Sequence, residues 1–122
     1  MTESERLPAD VTDVLERMLE PGDPVHAALR KQVPHLRLRS RCTCECGTAY
    51  FEIDAGAVEP APINSGSPVV ADAQLVTEEE ESLGEVLVFS YGGYLTSLEV
   101  CSWSDGIKPT LADARRWLRP YD

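Results

Sequence analysis

Basic residues are scarce in this chain: 11 lysines and arginines stand against 21 aspartates and glutamates, a formal charge of −10 over 122 residues. A field of that sign repels a phosphate backbone at long range, so nucleic acid is not the expected partner. Long apolar runs are missing too. No stretch approaches the roughly 18 apolar residues of a membrane span, and Met1 to Pro8 lacks the basic and then apolar run of a signal peptide. The sequence therefore reads as cytoplasmic and soluble, with no membrane partner. Also absent are a phosphate-cradling glycine loop, a nucleophile elbow, a two-histidine metal signature, a Cys-x-x-Cys pair and any internal repeat.

What remains is ordinary globular usage, 43% hydrophobic and 26% charged. A chain of this length supports one core, so residues 1–122 are expected to form a single domain with a short polar leader over 1–9. Val11, Val14, Leu15, Met18 and Leu19 recur at the helical period, with Asp10 as the expected cap and Asp13 near the positive end. Pro21-Gly22 stops that helix. Asp23-Pro24 then repeats the start signal for a second, in which Val25, Ala28, Leu29 and Gln32 lead to Pro34. His26, in its first turn, is expected to face solvent.

From His35 the period falls to two. Leu36, Leu38 and Ser40 alternate with Arg37, Arg39 and Arg41, the pattern of a strand with one face on the core. Three arginines on one strand face form a candidate partner-binding stripe, set against the plainer reading of a solvated face paired with acidic side chains on neighbouring strands. Thr48 to Ile53 reads as the next strand, and residues 55–68, rich in proline and glycine, as a long surface loop. Val69 to Val76 follows as a strand, with Val69, Ala71, Ala73 and Leu75 facing inward. Glu78 to Glu81 is a solvated turn. Val86 to Phe89 and Leu95 to Val100 flank Gly92-Gly93, a pair able to supply the positive φ angles of a tight hairpin. In the last strand Leu98 and Val100 are expected inward. Glu99 is expected outward with Leu95, Ser97, Cys101 and Trp103, as a second candidate partner-binding residue or as the mate of an arginine in the stripe. Thr110 to Asp113 resembles a capping box opening a short helix through Leu118. The sum is an α+β domain: two N-terminal helices, an antiparallel sheet of about five strands and a C-terminal helix, the helices covering one sheet face.

Three of the four cysteines crowd into Arg41-Cys42-Thr43-Cys44-Glu45-Cys46-Gly47, expected to be the turn of a hairpin. Thiolates are soft ligands for Zn²⁺ and Cu⁺, so Cys42, Cys44 and Cys46 form a candidate metal site, with Cys101 as a fourth ligand if the sheet order brings it alongside. The spacing opposes this. In a regular strand the Cα atoms of Cys-x-Cys lie about 6.5 to 7 Å apart, too far for easy chelation unless the backbone bends near Gly47. Two other readings stand beside it: a reactive thiol acidified by Arg41, and plain packing of small apolar side chains. Packing is favoured, and no cofactor is expected, Zn²⁺ being the one the thiols would take.

The cysteine segment, together with Gly84 to Phe89 and Gly93-Tyr94-Leu95-Thr96-Ser97-Leu98-Glu99-Val100, resembles a group of small uncharacterised actinobacterial proteins. Those proteins carry a Cys-x-Cys-x-Cys turn and a late Gly-Tyr-Leu-Ser-x-Leu-Glu strand. The likeness spans the first helix to Val100 and implies no activity. Cys101 stands where the resembling sequences have tyrosine or another residue, which counts against a four-cysteine site. The late strand is also similar to strands of small immunity proteins of bacterial toxin systems. On these grounds the sequence is read as a non-enzymatic, acidic protein-interaction module with a basic protein partner. The alternatives are a metal-binding protein and a small thiol-dependent enzyme.

Overall fold

In the computed structural model, which describes residues 5–20, 22–42, 47–63, 66–103 and 109–120, the period-3.6 segments are helices and the period-2 segments are strands. Helix α1 (Ala9–Met18) buries Val11, Val14, Leu15 and Met18. Asp10 does not cap it. The helix starts two residues earlier, after Pro8, and the Asp10 carboxylate sits inside the first turn, accepting from the Val11 N–H at 2.9 Å. Helix α2 (Pro24–Gln32) begins as the sequence predicts, with Asp23 accepting from the N–H groups of Val25 (2.8 Å) and His26 (3.1 Å). A 3₁₀ turn at Val33–His35 follows. Helix α3 (Leu111–Trp117) opens on a full capping box between Thr110 and Asp113. It stops one residue short of expectation, because Leu118 is already in a strand.

Seven strands form one antiparallel sheet: β1 (Glu5–Arg6), β2 (Leu36–Arg41), β3 (Ala49–Ile53), β4 (Val69–Val76), β5 (Ser82–Tyr91), β6 (Tyr94–Ser102) and β7 (Leu118–Pro120). The order across the sheet is β1-β2-β3-β6-β5-β4-β7. The five long strands are those the alternation predicts. The two added ones are edge strands of two and three residues, too short to show a period. Among the described residues no helix is long and apolar enough to cross a membrane.

Helices α1, α2 and α3 lie on one face of the sheet. Their buried side chains meet Leu36, Ala49 and Phe51 from β2 and β3, Ala71, Ala73 and Leu75 from β4, and Val86, Val88, Leu95, Leu98 and Val100 from the β5–β6 hairpin. At the tip of that hairpin Gly92 and Gly93 take φ of +61° and +87°, a conformation that glycine adopts without the Cβ penalty. Asp13 on α1 joins α3 through Arg115 (3.1 Å) and also meets Arg17 (3.2 Å). Partial burial works to raise the Asp13 pKa, but the hydrogen bonds from Arg115 and Arg17 outweigh it and hold the carboxyl below its usual range.

Residues 54–68 are long because they must carry the chain from β3 past β6 and β5 to β4, three strand spacings or about 14 Å. Much of the crossing is tied down. The buried Gln32 side chain donates to the carbonyls of Gly93 (2.8 Å) and Glu59 (3.3 Å) and accepts from the Leu95 N–H (3.0 Å). The Ala61 N–H donates to the same Gly93 carbonyl at 2.8 Å. The Tyr94 hydroxyl reaches the carbonyls of Ala55 and Val58, both at 3.3 Å. His26 does not simply face solvent: its Nε2 lies 2.7 Å from the Val70 carbonyl, so that nitrogen carries the proton, at an edge of β4.

Candidate functional site

Strands β2 and β3 are antiparallel neighbours, and the Cys42 N–H donates to the Thr48 carbonyl at 2.9 Å, so the chain does reverse between Cys42 and Gly47. Gly47 has φ of +91°, and a Cβ there would stand 2.5 Å from that of Leu111. Cys44 and Cys46 lie outside the described residues. Cys42 and Cys101 are both half-buried. The sheet order sets β3 between them, a separation of two strand spacings, about 10 Å, so Cys101 is not brought alongside Cys42. Cys42 instead lines a cavity of about 390 Å³ with Asp10, Arg41, Gly47, Thr110, Leu111 and Ala112. Among the described residues no three His, Cys, Asp or Glu side chains are grouped to hold a metal.

The arginine stripe is not a single face. Leu38 pairs with Phe51 and Ser40 with Tyr50, which leaves Arg39 as an extra residue, a β-bulge. Before the bulge Arg37 stands opposite Glu52 on the side away from the helices. After it the alternation is inverted, and Arg41 stands opposite the buried Ala49 on the helix side. There its guanidinium meets Asp10 at 3.0 Å. Arg37 also lines a cavity of about 630 Å³ together with Arg6, His35, Glu16 and Asp54, among others.

A second bulge corrects the last strand. Phe89 pairs with Ser97 and Ser90 with Leu95, so Thr96 is the extra residue. Leu95 therefore joins Leu98 in the core rather than Glu99 on the outside. A third, at Val70, sets Val69 opposite Phe89 and brings Val70 instead against the core. Glu99 itself stands opposite Leu87, and β3 separates it from the arginines of β2, so the expected cross-strand partnership is not direct.

With the bulges placed, the face of the sheet away from the helices can be read row by row. Tyr50, Ser97 and Phe89 stand side by side across β3, β6 and β5. Glu99, Leu87 and Asp72 form the next row across β6, β5 and β4, and Cys101, Glu85 and Gln74 the one after. Ser97 is buried although no helix among the described residues covers it, because Tyr50 and Phe89 flank it on either side. The exposed large apolar side chains among the described residues are Tyr50 (41%), Tyr91 (84%) and Trp103 (47%). Tyr50 and Tyr91 belong to this face by alternation, Tyr50 with Glu52 and Tyr91 with Phe89; Trp103 follows the end of β6, its N–H donating to the Leu83 carbonyl at 3.5 Å. Leu87 and Phe89, half-buried, lie between them. Arg6 stands opposite Arg37 at the β1–β2 margin, and Arg119 of β7 stands opposite Gln74 at the other edge, where Glu80 holds it at 2.7 Å.

Sequence reasoning found Glu99 on this face but not the face as a unit. Strand order brings Tyr50 beside Ser97, and nothing local to either residue signals it. No known protein family, curated protein or solved structure matches the chain.

Proposed function

We propose that this chain is a non-enzymatic protein-interaction module and that the helix-free sheet face is its binding surface. The observation that carries the reading is the exposure of Tyr50 and Tyr91, with the half-buried Phe89 and Leu87, on one side of a sheet whose other side is filled by three helices. An exposed aromatic taken singly needs no explanation, but tyrosine and tryptophan standing over a half-buried apolar floor have the composition of an interface centre. The rows run across paired strands rather than loops, so docking here requires little ordering of the chain.

The test is co-purification from native lysate with wild-type protein and a Tyr50→Ala/Trp103→Ala variant. A partner retained by the first and lost by the second is the expected result. Recovery of the wild type alone across salt conditions, or the same proteins with both, refutes it.

A further inference from the structure

Resting on the reading of the sheet face as a binding surface, we infer that its occupant is a protein presenting a basic patch, seated over β6, β5 and β4 rather than over the whole face. The apolar floor there is not neutral ground. Leu87 has Glu99 on one side and Asp72 on the other, and Glu85 lies two residues along β5, diagonal to both. Diagonal neighbours on one sheet face are about 7 to 8 Å apart, so one lysine or arginine head over Leu87 lies within reach of three carboxylates. Its methylene stem would cover Leu87 and Phe89 while its charge meets the rim. The aromatic side chains around that floor suit the same partner, since tyrosine and tryptophan faces attract guanidinium and ammonium groups.

The alternatives fit less well. A second copy of this chain, laid face to face, would press two such acidic rims together, each on a molecule of charge −10. Nucleic acid meets the same repulsion. Of the arginines of the face, Arg6 and Arg37 are at the β1–β2 margin, with β3 and β6 between them and β5, and Arg119 on β7, opposite Gln74, is engaged by the Glu80 carboxylate at 2.7 Å.

The probe is a short synthetic peptide of alternating arginine and threonine residues, titrated into the ¹⁵N-labelled chain, with a glutamine–threonine peptide of the same length as its neutral counterpart. The inference expects amide shifts confined to Asp72, Glu85, Leu87, Phe89 and Glu99 and their neighbours. It expects affinity to fall as salt rises, and about a tenfold loss in a Glu85→Lys/Glu99→Lys variant. A Glu78→Lys/Glu79→Lys variant, altered on the β4–β5 turn, should bind as the wild type does. Shifts spread equally over that turn, or equal loss in both variants, would mean attraction to acid anywhere and overturns the inference. Equal binding of the neutral peptide at the face also overturns it, while leaving the sheet face itself as the binding surface. Concentration-dependent broadening of the same amides without peptide would identify a second copy as the occupant and overturn it as well.

Discussion

Replacing Gln32 tests how the helical layer holds the β5–β6 hairpin and the crossing loop together. The side chain is fully buried, and its hydrogen bonds run to Gly93, Leu95 and Glu59. In Gln32→Leu the Gly93 carbonyl keeps the Ala61 N–H, and the Glu59 carbonyl, on an exposed residue, can turn to water. The Leu95 N–H has neither recourse. Its desolvation costs about 1–3 kcal/mol, and the lost bonds bring the expected destabilisation to about 2–3 kcal/mol, offset little by a leucine of similar volume. For a chain of this size that lowers Tm by about 8–12 °C. Urea unfolding should show the midpoint falling with m unchanged, and hydrogen exchange should quicken at the Leu95 amide. Gln32→Glu makes a sharper version, because the donors facing Gly93 and Glu59 become oxygens and the ionised group has no cation beside it. Burial would raise that carboxyl's pKa above its unfolded value of about 4.3, so the variant should regain stability as pH falls from 8 toward 5. A loss under about 0.5 kcal/mol in Gln32→Leu, or a Gln32→Glu variant indifferent to pH, would refute the clamp.

Other outcomes follow from the same geometry. Asp13, held below its ordinary pKa by Arg115 and Arg17, contributes stability present above the unfolded pKa of about 3.9 and lost as pH falls through the lower folded value. Asp13→Asn should therefore flatten the stability profile below about pH 4, with an effect at pH 7 under about 1 kcal/mol because the pair is partly exposed, as read by thermal melts across pH. Gly84→Ala should destabilise by more than about 2 kcal/mol, since the added Cβ would stand 2.0 Å from the Cys101 carbonyl oxygen; a change within about 0.5 kcal/mol would mean the β5–β6 ladder yields there. Protein purified without a metal-affinity tag should carry less than about a tenth of an equivalent of zinc, and a stoichiometric content by elemental analysis would move the functional reading to Cys42, Cys44 and Cys46.

Local chemistry in the sequence was enough for Asp23-Pro24, the Thr110–Asp113 capping box and the Gly92-Gly93 turn, because each feature is completed within a few residues. The fold class and the five long strands also follow from the change of period. The errors cluster at bulges. Alternation set Arg41 with Arg37, and Leu95 with Glu99, on the assumption of an unbroken ladder; one extra residue at Arg39 or Thr96 reverses every side chain beyond it. Whether a strand takes an extra residue depends on the strand opposite, which alternation within one segment does not contain. The same limit hides the candidate face, since Tyr50, Ser97 and Phe89 become neighbours only through strand order.

The sheet is assembled from two locally built pieces, the β2–β3 hairpin and the β4–β5–β6 meander, and a single seam between β3 and β6 joins them. Each piece closes short loops, whereas the seam pairs Ala49 with Leu98 and must gather chain from both halves before any contact rewards it. Closing that seam is therefore expected to be entropically uphill and slower than forming either piece. Until it closes, the meander's β6 edge is open to any other strand it meets.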